Sequence, residues 1–436
     1  MPQDVGNGSP TNTGITSITV EGYKSISERR TIDVRPLTIL AGANSSGKSS
    51  MVQPLLLIKQ TLEATFDPGP LKLDGPNVRF ANAAEMRPRG RDGLGDSLVI
   101  AAGSGSYHTS IEYQWASAGV ELAEFRSGTS DRCVAIRPTM DEAELRMALA
   151  ASTTGASPRR ATLDRLQIGR HRCVLSLLFA VPDTDGVFVP VSPGPAAALW
   201  RIVHVPALRG NPERAYKAAA AGGQYPGEFQ EYFAAALHAW QEKHDSRLSE
   251  VWRWASRLGL TWKVDARRVS DTSIELLVGR LPKARRGGAR DLVNIADVGS
   301  GVSQVLPVIV ALVAATRGDT VYIEQPEIHL HPRAHDGLAR LLADAATRGL
   351  RVIAETHSSL LIRAIQTAVA EGAMPREDVV LHWFSRDDDG VTQVTSAELD
   401  RAGRFGDWPE DFAEVQLEAA ERYVTAAEKA MQEASA

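Results

Sequence analysis

Apolar and polar positions alternate over residues 15–20, as in a half-buried strand. A turn through Gly22, Tyr23, Lys24 and Ser25 leads to a second short strand at 31–34, and Pro36 feeds a buried strand at 37–40. Between 52 and 64 apolar residues recur at helical spacing, and the Pro/Gly-rich segment 68–75 ends that helix. Short alternating runs between 98 and 125 predict an antiparallel meander. A helical pattern at 141–151 precedes a Ser/Gly/Arg-rich loop, and strands are expected at 174–180, 186–191 and 201–205. Residues 227–258 read as one long helical stretch, whose Trp240, Trp252 and Trp254 suit packing better than base stacking. A strand pair at 261–264 and 273–278 follows. A helix then opens after Gly299, with Val308, Ile309, Leu312 and Val313 on its apolar positions. Buried strands are predicted at 321–323, 350–354 and 379–384. A hairpin turn through Arg386 and Gly390 returns the chain along 391–395, and a last helix covers 412–431.

The strand at 37–40 runs into Gly42-Ala43-Asn44-Ser45-Ser46-Gly47-Lys48-Ser49-Ser50, and Gly42 to Ser49 fit G-x-x-x-x-G-K-[ST]. Strand before and helix behind is the setting in which this pattern holds phosphate. Successive loop N–H groups wrap the anion, and the helix presents its positive dipole end. Lys48 is expected to reach the β- and γ-phosphates, and the Ser49 hydroxyl to ligate Mg²⁺.

A length of 436 residues suggests two to three domains. The net charge of −5 provides no global basic footprint, so any nucleic-acid contact has to be local. Arg159, Arg160, Arg165, Arg170, Arg172 and the basic loop from Arg280 to Arg290 are the candidates, with solvated loops as the commoner reading. Cys133 and Cys173 form no disulfide framework and read as small buried residues in a reducing cytosol. No apolar run matches a membrane span, no signal peptide is expected, and residues 1–14 read as a disordered leader.

The two strands around a Gly-aromatic-Lys-Ser turn, then a strand ending in Gly-x-Asn-x-x-Gly-Lys-Ser, resemble the start of an ABC-type ATPase head of the SMC/RecF/OLD branch. Later stretches extend the resemblance. Gly299-Ser300-Gly301 resembles a divergent ABC signature, which implies that Ser300 and Gly301 meet the γ-phosphate held by an opposite subunit. Residues 319–332 resemble the Walker B strand of OLD-like ATPases. That puts Glu324 at the Mg²⁺-site acid and Gln325 where a water-polarising Glu normally stands. An amide orients water but cannot take its proton, so either hydrolysis is slow or Glu327 helps; both readings stand. Thr356-His357-Ser358 resembles the H-loop, with His357 directed at the γ-phosphate or the attacking water. His329, His331 and His335 fit no standard zinc spacing, and His331 falls at the D-loop. The run from Pro206 through Arg209 and Arg214 to Tyr216, and the tail at Trp408, Pro409 and Phe412, resemble bacterial ATPases with OLD-like heads. Arg209 and Arg214 meet phosphate or a partner on one reading and local carboxylates on the other.

The expected fold is α/β: a two-lobed ABC/SMC-like head with a mixed sheet around the P-loop helix, an antiparallel meander and a helical insertion. The N-terminal lobe is expected at 15–135, a partly helical insertion at 136–260, the C-terminal lobe at 261–405 and a C-terminal helix at 406–436. No heptad run supports a long coiled coil. The resemblance implies ATP and Mg²⁺ as cofactors, a homodimer with ATP sandwiched between heads, and hydrolysis that releases it. It further implies a cytoplasmic regulatory ATPase for a separately encoded effector, commonly in bacterial anti-phage defence. A DNA-associated ATPase and a nucleotide-controlled scaffold that restrains a partner protein are the competing functions.

Overall fold

The computed structural model describes residues 14–406 except 90–94, 96, 118, 142, 146, 149–165, 181–187, 192–195, 220–222 and 282–290; beyond 406 it describes 422 and 424–426. Residues 1–13 of the leader expected at 1–14, Arg159, Arg160, Arg165, most of the basic loop after Arg280, and the C-terminal tail with Trp408, Pro409 and Phe412 lie outside the described residues.

β1 (Ser17–Glu21) and β2 (Arg30–Asp33) pair antiparallel. They continue into β4 (Ser97–Ser104), β5 (Tyr107–Ala116), β6 (Gly119–Thr129) and β7 (Arg132–Ile136), a six-stranded sheet ordered β2-β1-β4-β5-β6-β7. Cys173 is buried as expected, but Cys133 is exposed. It sits on β7, the edge strand, where only one neighbour covers the chain. A separate antiparallel sheet joins β8 (Leu166–His171), β9 (Val174–Ala180) and β10 (Phe188–Val191). β8 was not expected, because Gly169 and Arg170 interrupt the alternation begun by Leu166 and Ile168.

A second six-stranded sheet carries the strand that runs into the loop at 42–49. β3 (Leu37–Gly42) lies at its centre, flanked by β17 (Arg351–Thr356) and β18 (Val379–Arg386). β16 (Thr320–Glu324) pairs with β17, β11 (Ile202–Val205) with β16, and the antiparallel β19 (Thr392–Glu398) with β18. β11 corrects one expectation. It falls inside the stretch read as an insertion, yet it is a buried parallel strand of the central sheet. Parallel strands need long crossovers, so sequence distance concealed the pairing.

Helix α1 (Lys48–Leu62) follows β3 and is buried along most of its length. Its layer explains this. Leu40, Tyr322, Ile353 and Phe384 on one face of the central sheet share a core with Met51, Leu55 and Ile58 of α1 and with Ile18, Val20, Ile100 and Tyr113 of the antiparallel sheet. The alternate residues Leu37, Ile39 and Ala41 face the opposite layer, as the two-residue strand period requires. There they meet α3 (Phe233–Glu242), α4 (Ser246–Arg257), α5 (Ser300–Ala314), α6 (His335–Thr347) and α7 (Ser359–Ala370); a short α2 (Ala196–Trp200) precedes β11. The long helical stretch is therefore two helices. His244 takes a left-handed φ of 51°, and the Asp245 side chain accepts from the Arg247 N–H at 3.0 Å to start α4 anew. Trp240 and Trp254 are buried in this core. β13 (Val264–Ser270), β14 (Ser273–Gly279) and β15 (Leu292–Asn294), with the two-residue β12 (Tyr216–Lys217), form a small sheet over α3. Among the described residues no helix is long and apolar enough to cross a membrane.

Candidate nucleotide-binding site

Both glycines of the loop are demanded by their neighbours. At Gly42 φ is +141°, and a Cβ would stand 2.1 Å from the Phe384 carbonyl of β18. At Gly47 φ is +107°, and a Cβ would stand 2.3 Å from Thr392 Oγ1 of β19. The β18–β19 hairpin thus closes on the loop so tightly that only hydrogen fits. Thr392 Oγ1 donates to the Ser46 carbonyl at 2.9 Å and lies 2.8 Å from Ser25 Oγ. The Gly-Tyr-Lys-Ser turn is in this way tied to the loop. Lys24 beside it, with Arg87, Arg89 and Arg386, lines a hollow of about 220 Å³. Gly47 caps α1 without a side-chain bond, so the N–H groups of Lys48, Ser49 and Ser50 open the helix uncapped. The Lys48 ammonium is tucked into the loop, donating to the carbonyls of Ala43 at 2.7 Å and Gly42 at 3.1 Å. Burial lowers its pKa, and the nearby Glu355 opposes that shift.

Glu324 and Glu355 are register partners on adjacent strands, and Glu355 pairs on its other side with Leu40 of β3. Ser49 Oγ donates to both Glu355 oxygens at 2.9 Å, and Tyr322 OH donates to Oε2 at 2.8 Å. Burial raises the Glu355 pKa, against the pull of the Tyr322 hydrogen bond. Glu324 has other company. It accepts from the Ala207 N–H at 3.1 Å and lies 3.3 Å from His204 Nε2. His204 stacks on Tyr322 with ring centroids 5.5 Å apart, and its Nδ1 is 3.1 Å from Asn77 Oδ1. Burial pushes the Glu324 carboxyl up, but the His204 and Ala207 hydrogen bonds and the charges of His204 and Arg209 bring it below its ordinary value.

Gln325 adopts a left-handed φ of 45°, which costs a residue other than glycine about 1 kcal/mol or more. Its N–H donates to the Glu355 carbonyl at 2.8 Å. Arg209 braces the same turn, donating to the carbonyls of Glu324 at 2.7 Å, Gln325 at 3.2 Å and Gln304 at 3.2 Å. Burial pushes this guanidinium down to about 10, opposed by Glu327 and Glu324. Arg209 therefore serves backbone carbonyls, whereas Arg214 pairs on the surface with Asp297 at 2.7 Å. Thr356 Oγ1 donates to Glu327 Oε1, while Glu327 Oε2 is buried with no hydrogen-bond partner among the described residues. Burial raises the Glu327 pKa, against the Thr356 bond. His357 Nδ1 donates to the Gly42 carbonyl at 2.9 Å.

Ser300 is exposed at the start of α5, and Gly301 sits where a Cβ would stand 3.2 Å from the His329 carbonyl. Among the described residues no hydrogen bond links either to the loop of its own chain. No group of three or more His, Cys, Asp or Glu is placed to hold a metal among the described residues, so His329, His331 and His335 do not gather. A Ser hydroxyl beside carboxylates is the hard oxygen set that Mg²⁺ takes. Of the two basic clusters, Arg170 is engaged with Asp67 at 2.7 Å. Sequence reasoning missed Glu355, His204 and Asn77. The available signal was a charged residue at the inward parity of a buried strand, where Ile353 and Glu355 face α1 together.

The family described as "AAA domain, putative AbiEii toxin, Type IV TA system" matches residues 266–363, which include Ser300, Glu324 and His357. No curated protein matches the chain. Among solved structures it is similar to an Smc head bound to the C-winged helix domain of ScpA, at 14% identity over 89% of this chain and 99% of that one, with TM-score 0.46. The SMC head domain from Thermotoga maritima aligns at 13% identity over 88% and 98%, with TM-score 0.41. An Smc head with an extended coiled coil, bound to the C-terminal domain of ScpA derived from Pyrococcus furiosus, aligns at 13% over 89% and 97%, with TM-score 0.42. With a phosphate loop at 42–49 and an AAA-domain match over the strand and histidine that face it, the chain has the build of a P-loop nucleotide-binding ATPase.

Proposed function

We propose that this chain is an ATP-gated switch: it binds Mg²⁺–ATP in the loop at 42–49, pairs head-to-tail with a second copy, and regulates a separate effector. One observation carries the reading. Loop, acids and histidine meet at the carboxyl ends of the central strands, while exposed Ser300 and half-buried Gly301 open a helix that, among the described residues, makes no hydrogen bond to the loop of the same chain. A γ-phosphate held through Lys48 and Ser49 then takes its remaining donors from the partner copy's α5, and ATP joins the two. Mg²⁺ supplies charge neutralisation at the phosphates when bound. Residues 43–46 and Ser50 contribute backbone N–H groups, and Gln325, Glu327 and His357 surround the water position. The OLD-like resemblance, and the toxin–antitoxin wording of the matched family, support a bacterial cytoplasmic role beside a partner gene product, as in defence.

Lys48→Ala should abolish binding of mant-ATP. Ser300→Arg should keep binding but lose ATP-driven pairing in light scattering after gel filtration. Unchanged ATP hydrolysis in both variants rules the switch out. A second reading, a scaffold with little hydrolysis that restrains a partner protein, is favoured by the Gln325 amide held on a braced turn. Multiple-turnover phosphate release separates the two: a switch cycles, whereas a scaffold stalls with ATP bound.

A further inference from the structure

We propose that Glu355 is the acid of the metal site, and that Glu324 instead anchors the neighbouring His204 network. This assignment rests on the nucleotide-binding reading above. Glu324, Glu355 and Leu40 stand side by side in register on three adjacent parallel strands, so their side chains share the face that carries α1. Distance from the loop separates the two acids. β17 is the immediate neighbour of β3, one strand spacing of about 4.8 Å away, while β16 is two spacings away.

The contacts follow that order. Ser49 donates its hydroxyl proton to Glu355 at 2.9 Å. A hydroxyl with its proton so engaged turns its lone pairs outward, as a hard cation needs, with a negative charge beside it. Tyr322 fixes Glu355 Oε2 from β16, and the Gln325 N–H fixes the Glu355 backbone. Glu324 is held away by His204 and the Ala207 N–H, and through His204 by Asn77. Glu324 is thus a positioning residue that joins β11 to the turn carrying Gln325, and Glu355 supplies the negative charge that balances the metal.

The test measures mant-ATP affinity of the full chain in EDTA and in Mg²⁺, the ratio giving the metal's contribution. In wild type Mg²⁺ should tighten binding at least about tenfold, one charge-assisted contact being worth roughly that. Glu355→Gln should reduce the ratio, taken against its own affinity in EDTA, to about threefold or less, whereas Glu324→Gln should keep it near the wild-type value. Glu355→Asp, which keeps the charge, should recover a ratio between those of wild type and Glu355→Gln. A wild-type ratio in Glu355→Gln, or a collapsed ratio in Glu324→Gln alone, overturns the assignment. Should Glu355→Gln not fold, Glu355→Asp decides: a ratio unchanged there but lost in Glu324→Gln overturns it. Wild-type chain that binds no mant-ATP in either buffer overturns the nucleotide-binding reading itself.

Discussion

His357, at the end of β17, donates through Nδ1 to the carbonyl of Gly42, the first glycine of the phosphate loop, across 2.9 Å. A carbonyl only accepts, so Nδ1 bears the hydrogen and Nε2 of the neutral ring keeps its lone pair. Burial lowers the His357 pKa, and the charge of Lys48 lowers it further. The ring is thereby held as a neutral acceptor, suited to a water proton rather than to donation onto phosphate.

Replacing His357 by Ala should cut the ATPase kcat by about a hundredfold and change KM by less than about threefold. The pH profile has a definite sign. The neutral ring is the active form, so activity holds above the lowered pKa and falls as pH drops through it, below the ordinary histidine value of about 6.5. An acid limb that persists unchanged in His357→Gln would show that another group titrates.

On the proposed reading, Gln325 faces the attacking water with an amide. Gln325→Glu restores a proton acceptor in the same left-handed turn and should raise single-turnover hydrolysis by about ten- to a hundredfold. No change, with nucleotide binding intact, would place the proton acceptor elsewhere, Glu327 being the nearest candidate.

Arg209 donates to three carbonyls around that turn. Arg209→Ala leaves them without their charged donor and should cost on the order of 3 kcal/mol, read as a lower urea midpoint at unchanged slope. Arg209→Lys should not rescue it, since an ammonium cannot reproduce the planar fork. A midpoint equal to wild type in Arg209→Ala would mean that the brace is idle.

His382 is fully buried on β18, with Nε2 donating to the Asp33 carbonyl and Nδ1 facing Ser396 Oγ, each at 2.8 Å. Burial lowers its pKa, against the Asp33 bond. The unfolded chain then takes up a proton near pH 6.5 that the folded chain refuses. Stability is therefore full above about 6.5 and declines as pH falls from there toward the lowered folded value. Melting temperatures measured across that window should show the decline, and His382→Gln should flatten part of it. A slope identical in the variant would assign the effect to other groups.

Much of the fold was legible because its signals are local. A strand running into a glycine-bounded loop and a helix announces itself within about twenty residues, and so do the later strands that end in Glu324 and in Thr356-His357. Alternation marked β1, β2 and most of the meander, and Ser300-Gly301 marked a helix start. The break at His244 was lost because apolar spacing continues across it; β11 was legible as a strand, but its place in the central sheet was not, because its partner lies more than a hundred residues away.

The chain's own order of residues thus marked the loop with its lysine and serine, Glu324 at the end of one buried strand and His357 after another. Tertiary structure alone decided which acid meets Ser49. Glu324 and Glu355 end similar buried strands, and nothing local tells them apart. Strand order does: β17 lies between β16 and β3, so the second acid reaches the loop while the first turns to a histidine brought in by β11. Neighbours in a parallel sheet are chosen by packing over long crossovers, which leave no mark in any short stretch of sequence.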